Sequence, residues 1–207
     1  EQELIALDFA FKQMIKPLHT LNYDYAVWDR TYSYMKSKSA TAKQFYEQHE
    51  YPDDTFKSLE VDGVFIFNNA NRLVFSKGFN HSSDQSLEFG FTNFTLYPQN
   101  KALSPQQKQA LPPIDEPISS PEDVPSKTGV ISTKYGPALF SSTSILQSNR
   151  SGPALGYLVF IRLIDKEFIS ELSQYTSAGV EMSLLSAQDN ATSMFNLGSH
   201  RVLNNLS

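Results

Sequence analysis

The chain has no cysteine at any of its 207 positions. A disulfide framework and a thiolate metal site are therefore excluded, which suits a bacterial periplasm or cytoplasm better than a small secreted eukaryotic domain. No apolar run reaches the roughly 18 residues of a membrane span. The best stretch, Ala154 to Ile164, is too short and is interrupted by Arg162. No signal-peptide pattern opens the chain. Acids and bases are mixed at a net charge of −5, without the basic stripe of a nucleic-acid surface, so no nucleic-acid partner is expected. The chain has no HExxH, GxSxG elbow, P-loop or GxGxxG. His19, His49, His81 and His200 are scattered without ligand spacing. These absences point away from an enzyme, a metal site and a bound cofactor. The chain begins at Glu1 without a Met, and is expected to be a piece of a longer protein.

What is present is aromatic. With 40% hydrophobic and 13% aromatic residues, the chain can bury a sizeable core, and a single domain over 1–207 is expected. The lone Trp28 lies in Asn22 to Met35, NYDYAVWDRTYSYM, beside Tyr23, Tyr25, Tyr32 and Tyr34. Read as one helix, this stretch sets Tyr25, Trp28, Tyr32 and Met35 on one face, with Asp29 at its edge. Such a stripe packs into a core or cages a ligand. Both readings stay open, and Tyr25, Trp28, Asp29 and Tyr32 are candidate ligand-binding residues.

Arg162 is the fifth candidate. It stands mid-strand in the most apolar run of the chain, where an unpaired guanidinium is too costly to bury. Either it meets a carboxylate, with Asp29 as the expected partner, or its planar fork meets an anionic ligand group.

Along the chain, Leu4, Leu7, Phe11, Met14 and Leu18 follow the three- and four-residue steps of a coiled-coil seam. This helix either lies on its own domain or pairs with a twin in a homodimer. Residues 1–60 are expected to be helical, with Thr41 capping a helix that ends before Pro52, and Asp53 or Asp54 capping another. Val61 to Phe67 and Arg72 to Phe79 read as a hairpin. Residues 80–127 form a Pro-rich excursion with one weak helix, Pro105 to Leu111. Val130 to Lys134 and Ala138 to Leu146 read as a second hairpin, Leu155 to Ile164 as the strongest strand, and Asp165 as the cap of a helix through Tyr175. Val180 to Leu185 closes a core spanning 61–186, and 187–207 is a connector. The class is α+β, built on an antiparallel five-stranded sheet.

Several of these stretches together resemble a known family. DYAVWDRTYSYM (Asp24 to Met35), VDGVFIF (from Val61), RLVF (from Arg72), YGPALFSSTSI (from Tyr135) and GPALGYLVFIRLIDKEFISELSQYTSAGV (from Gly152) are similar to the signature of the fourth class of CHASE domains. These are extracellular sensory modules of bacterial cyclases and histidine kinases. The resemblance covers Leu4 to Leu185. It implies a PAS-like or Cache-like fold, a periplasmic location, an unidentified small-molecule ligand, and membrane helices outside this stretch. It also implies a GGDEF or EAL cyclic-di-GMP output or a histidine kinase. A periplasmic protein-interaction module and a small enzyme with an unmarked site are the alternatives.

Overall fold

The computed structural model describes residues 2–90, 96–98, 117–175, 180–183, 193–197 and 200–204. Four helices come first: α1 (Gln2–Ala26), α2 (Asp29–Lys36), α3 (Ala40–Glu50) and α4 (Asp53–Leu59). They lead into β1 (Gly63–Asn68), β2 (Leu73–Asn80) and β3 (Gln85–Leu87). After the excursion come β4 (Ser126–Thr133), β5 (Gly136–Ser144), β6 (Gly156–Leu163) and α5 (Lys166–Tyr175). These six strands make one antiparallel sheet in the order β3-β2-β1-β6-β5-β4.

The sheet has six strands where five were expected, because the short polar segment Gln85–Leu87 pairs with the end of β2. The expected closing strand does not join it. Val180–Ser183 (β7) instead pairs with Ser193–Leu197 (β8), which pairs with His200–Asn204 (β9), in a separate three-stranded antiparallel sheet. The Pro105 to Leu111 helix lies outside the described residues.

β1 and β6 read as continuous apolar runs because both of their faces are covered. Val64, Ile66, Leu158 and Phe160 join Leu139 in a core built with side chains from all five helices. Phe65, Phe67, Tyr157, Val159 and Ile161 point the other way, and pack with Leu96, Tyr97 and Val124 from the excursion. The two are called the helical face and the second face below. At the head of β6, Gly156 adopts φ +142°, and a Cβ there would collide with the Phe67 carbonyl. Only glycine allows β1 and β6 to approach this closely.

Helix α1 runs through Pro17 without a break. Phe11, Met14 and Leu18 of the expected seam turn toward their own sheet and pack on the helical-face core. The side chains of Leu4 and Leu7 lie outside the described residues. Polar side chains fix the C-terminal half of α1. Fully buried Asn22 donates from Nδ2 to the Leu158 carbonyl at 3.0 Å and accepts from the Ser141 hydroxyl at 3.2 Å. That uses the only Ser141 hydrogen, so His19 Nδ1–H, 3.1 Å from the same oxygen, is the donor in that contact. Burial holds the His19 pKa below its ordinary value.

A second buried group ties three strand ends together. Asp62 accepts from the Leu163 N–H at 2.7 Å, the His81 N–H at 3.0 Å and the His81 ring Nδ1 at 2.8 Å. Its own backbone donates to Ile161 and accepts from Phe79. The Asp62 hydrogen bond is the main cause of a raised His81 pKa, offset in part by burial. A histidine favoured in its charged form by folding adds stability below its unfolded pKa of about 6.5, and loses that contribution as pH rises through the folded value. Stability should therefore decline on the alkaline side of about pH 6.5. Urea unfolding across this range should show the decline flattened by His81→Gln and kept by His19→Gln. An unchanged slope in His81→Gln would contradict the assignment.

Candidate functional site

The stretch around Trp28 is not one helix. Trp28 has φ −146° and ψ 132°, an extended conformation that separates α1 from α2. Tertiary pairing causes the break. Val27 forms a parallel bridge with Leu146, and the Leu146 N–H donates to the Ala26 carbonyl. Asp29 and Ser148 then hold the corner reciprocally: Ser148 N–H donates to Asp29 Oδ1 at 2.9 Å, and Asp29 N–H donates to Ser148 Oγ at 3.0 Å. The N-terminal half thereby docks on the connection between β5 and β6.

The aromatic side chains of this corner have protein partners. The Tyr25 ring meets Trp28, Tyr51 and Phe160 at centroid separations of 5.8, 5.9 and 5.4 Å. Arg30 lies over Trp28 at 5.0 Å and pairs with Glu50. The Tyr32 hydroxyl donates to the Pro153 carbonyl at 3.1 Å. Thr31 gives its only hydrogen to the Tyr25 carbonyl, so Tyr46 donates to Thr31 at 2.7 Å and Tyr51 to Tyr46 at 3.2 Å. Burial pushes the Tyr46 pKa up to about 12 and Tyr51 well above its ordinary value, which keeps this chain of hydroxyls neutral. An open groove nearby, lined by Tyr51, Asp53, Phe75 and Lys77 among others, is also satisfied. Lys77 reaches Asp53 and the Tyr51 carbonyl, each at 2.7 Å.

Arg162 does not meet Asp29. Its guanidinium lies 3.4 Å from Glu60 and 4.0 Å from Glu171, and sits over the Phe168 ring. The expectation of a carboxylate partner holds, but the partners come from the end of α4 and from α5. Strand alternation does put Arg162 on the helical face. However, it falls at the end of β6, where its side chain is 19% exposed and reaches the rim of the sheet. The five candidate residues therefore divide, with Tyr25, Trp28, Asp29 and Tyr32 at the corner and Arg162 apart from them.

Among the described residues, most of the unpartnered buried hydroxyls lie on the second face. Phe67 stacks on Tyr157 at 4.9 Å, and Tyr97 meets Tyr157 edge-on at 5.6 Å. Ser144 is directly opposite Tyr157 across the β5–β6 pair, and Ser142 is opposite Val159. Opposed residues share a face, so both serines lie with the tyrosines. Among the described residues, the Ser142, Ser144, Tyr97 and Tyr157 hydroxyls are buried without a hydrogen-bond partner. Thr143 on the helical face and the Asn69 side-chain oxygen are also unpartnered, but they stand apart from this group. Burial raises the Tyr97 and Tyr157 pKa values, so both phenols are neutral donors. An unpaired buried hydroxyl costs about 1–3 kcal/mol, and four of them lie on this one aromatic surface. Sequence reasoning missed it. The available signal was FSSTSI (Phe140–Ile145), a serine-rich run inside a strand flanked by apolar residues.

Residues 10–183 match the CHASE4 domain. Among curated proteins, the chain is 25% identical over 178 residues to the methanogenesis regulatory histidine kinase FilI of Methanothrix harundinacea (strain 6Ac). That match takes in 84% of this chain but 18% of FilI, so the chain spans less than a fifth of that relative's length. Two solved structures share the fold at a TM-score of 0.51 and 12% identity, each over 87% of this chain. One is a domain of a protein assigned to the sensory box/GGDEF family from Vibrio parahaemolyticus, 65% covered. The other is the extracellular domain of a protein assigned as a histidine kinase, 62% covered.

Because Asp29 and Arg162 share no partner, the stability losses of Asp29→Asn and Arg162→Met should add in the double variant to within about 0.5 kcal/mol. Denaturant midpoints of the two single variants and the double variant give the comparison. A coupling well above that would restore the direct pair.

Proposed function

Since the chain belongs to the CHASE4 family of extracellular sensor domains, we propose that it is the extracytoplasmic, ligand-sensing part of a bacterial transmembrane signalling protein. Its output would be a histidine kinase or a GGDEF/EAL cyclic-di-GMP module, and its compartment the periplasm. The observation that carries the sensing function is the group of four buried, unpartnered hydroxyls on an aromatic sheet face. A small ligand with hydrogen-bonding atoms would satisfy them. A structural core gains nothing from leaving them unmet. The antiparallel sheet, with helices on one face and a long excursion on the other, supports the PAS-like description.

The same strand offers a route for the signal. Ser142 and Ser144 of β5 point to the second face, while Ser141 between them and Phe140 points to the helical face and binds Asn22 of α1. A ligand that draws on β5 therefore acts on the anchor of α1, and biases its position if it binds two positions unequally. A homodimer through α1 belongs to the proposal. Phe11, Met14 and Leu18 serve the domain's own core, while Phe9, 60% exposed, remains for a partner helix.

Tyr157→Phe, Ser142→Ala and Ser144→Ala test the proposal in two assays. Each removes an unpaired buried hydroxyl, so unliganded stability should hold or rise by up to about 1 kcal/mol. In the full-length protein, the output response should fail. Variants that lose stability by 2 kcal/mol or more would mean the hydroxyls are structural. Stable variants with an intact response would favour an interaction module.

A further inference from the structure

The second face carries one charged side chain within β1, β4, β5 and β6. Lys127 of β4 is directly opposite Ser142 of β5, and so lies on the same face. That places Tyr157, Ser144, Ser142 and Lys127 on one surface crossing three strands, from β6 through β5 to β4. Neighbours across a strand pair have Cβ atoms about 4.5–5.5 Å apart, so the ammonium and the hydroxyls can converge on one small group. Lys127 is half-buried, and among the described residues no acid pairs with it. Burial alone lowers its pKa. The other lysine whose surroundings are comparable, Lys77, is held by Asp53 and a carbonyl, as a partly buried ammonium ordinarily is.

We propose that Lys127, with the Ser142, Ser144 and Tyr157 hydroxyls, holds the carboxylate of an organic monoanion whose apolar body lies against Phe67 and Phe140. This rests on the sensing function proposed above and gives its ligand a chemical class. The ammonium supplies the counter-charge, and the hydroxyls donate to the carboxylate oxygens. Among the described residues of this face, one positive charge without a second cation matches a monoanion. A phosphate dianion would leave a charge uncompensated beside Phe67, Phe140 and Tyr157. The aromatic side chains match a hydrocarbon or aromatic body.

Thermal unfolding and calorimetric titration of the 207-residue chain test this with benzoate and phenylacetate, their neutral amides, and inorganic phosphate. Both carboxylates should raise the unfolding midpoint, and the amides and phosphate should not. Lys127→Met should weaken carboxylate binding roughly 10- to 100-fold, as loss of a charged hydrogen bond does. Its unliganded midpoint should be unchanged or higher. Ser142→Ala, which keeps the charge, should weaken binding less and preserve the preference for carboxylate over amide. No shift with either carboxylate overturns the inference, as does a phosphate shift that depends on Lys127. Amides that bind as well as the acids, and fail to bind Tyr157→Phe, also overturn it but leave the sensing face in place. Carboxylate binding unaffected by both Lys127→Met and Tyr157→Phe removes the face as well as the anion.

Discussion

Strand β6 is paired on both edges and buried on both faces, so the rest of the domain is arranged to cover it. Its backbone is satisfied by β1 and β5. Its two rows of side chains need two separate covers. The helices supply one and the excursion supplies the other. The covers differ in chemistry. On the helical side, the Asn22, Ser141, Tyr46, Tyr51 and Asp62 side chains are joined into hydrogen-bonded sets. Across the sheet, the hydroxyls remain unmet. The two covers thus differ in how far they satisfy the polar groups beneath them, with Thr143 the unpartnered hydroxyl on the helical side.

Much of this was legible from local pattern. The apolar run at Leu155 to Ile164 marked β6, and Asp165 does cap α5, accepting from the Phe168 N–H at 2.8 Å. Both hairpins were found, with their turns slightly displaced. The cap of α3 is Ser39 rather than Thr41. Pro52, not either aspartate, occupies the N-cap of α4. These are shifts of a few residues that hydrogen bonding settles and composition does not. β3 was missed because a three-residue edge strand, Gln85–Leu87, is too short to show a period.

The larger departures came from long-range contacts. Nothing in NYDYAVWDRTYSYM shows that Leu146, far along the chain, will pull Val27 into a bridge and end the helix there. Helical spacing therefore put Tyr25, Trp28 and Tyr32 on one face that the corner divides. Arg162 was rightly identified as a charge in need of a carboxylate, but sequence distance does not rank Asp29 against Glu60 and Glu171. The serines of β5 were passed over because a run of adjacent small polar residues has no period that assigns each one to a face. A strand buried on both faces has no polar side on which serine would look ordinary. Their meaning emerged only from which face each one takes.

The buried attachment at Asn22 has a geometric corollary for α1. The helix is held to the sheet near its C-terminal end, and each residue along it turns the axis by about 100° and rises about 1.5 Å. The direction in which Phe9 points is thus a fixed angular offset from Asn22. A single-residue insertion between them would swing Phe9 by about a quarter-turn or more, whereas seven residues would nearly restore its bearing at a greater height. The bearing of each described side chain along the N-terminal part of α1 is set in this way by the buried contact at Asn22.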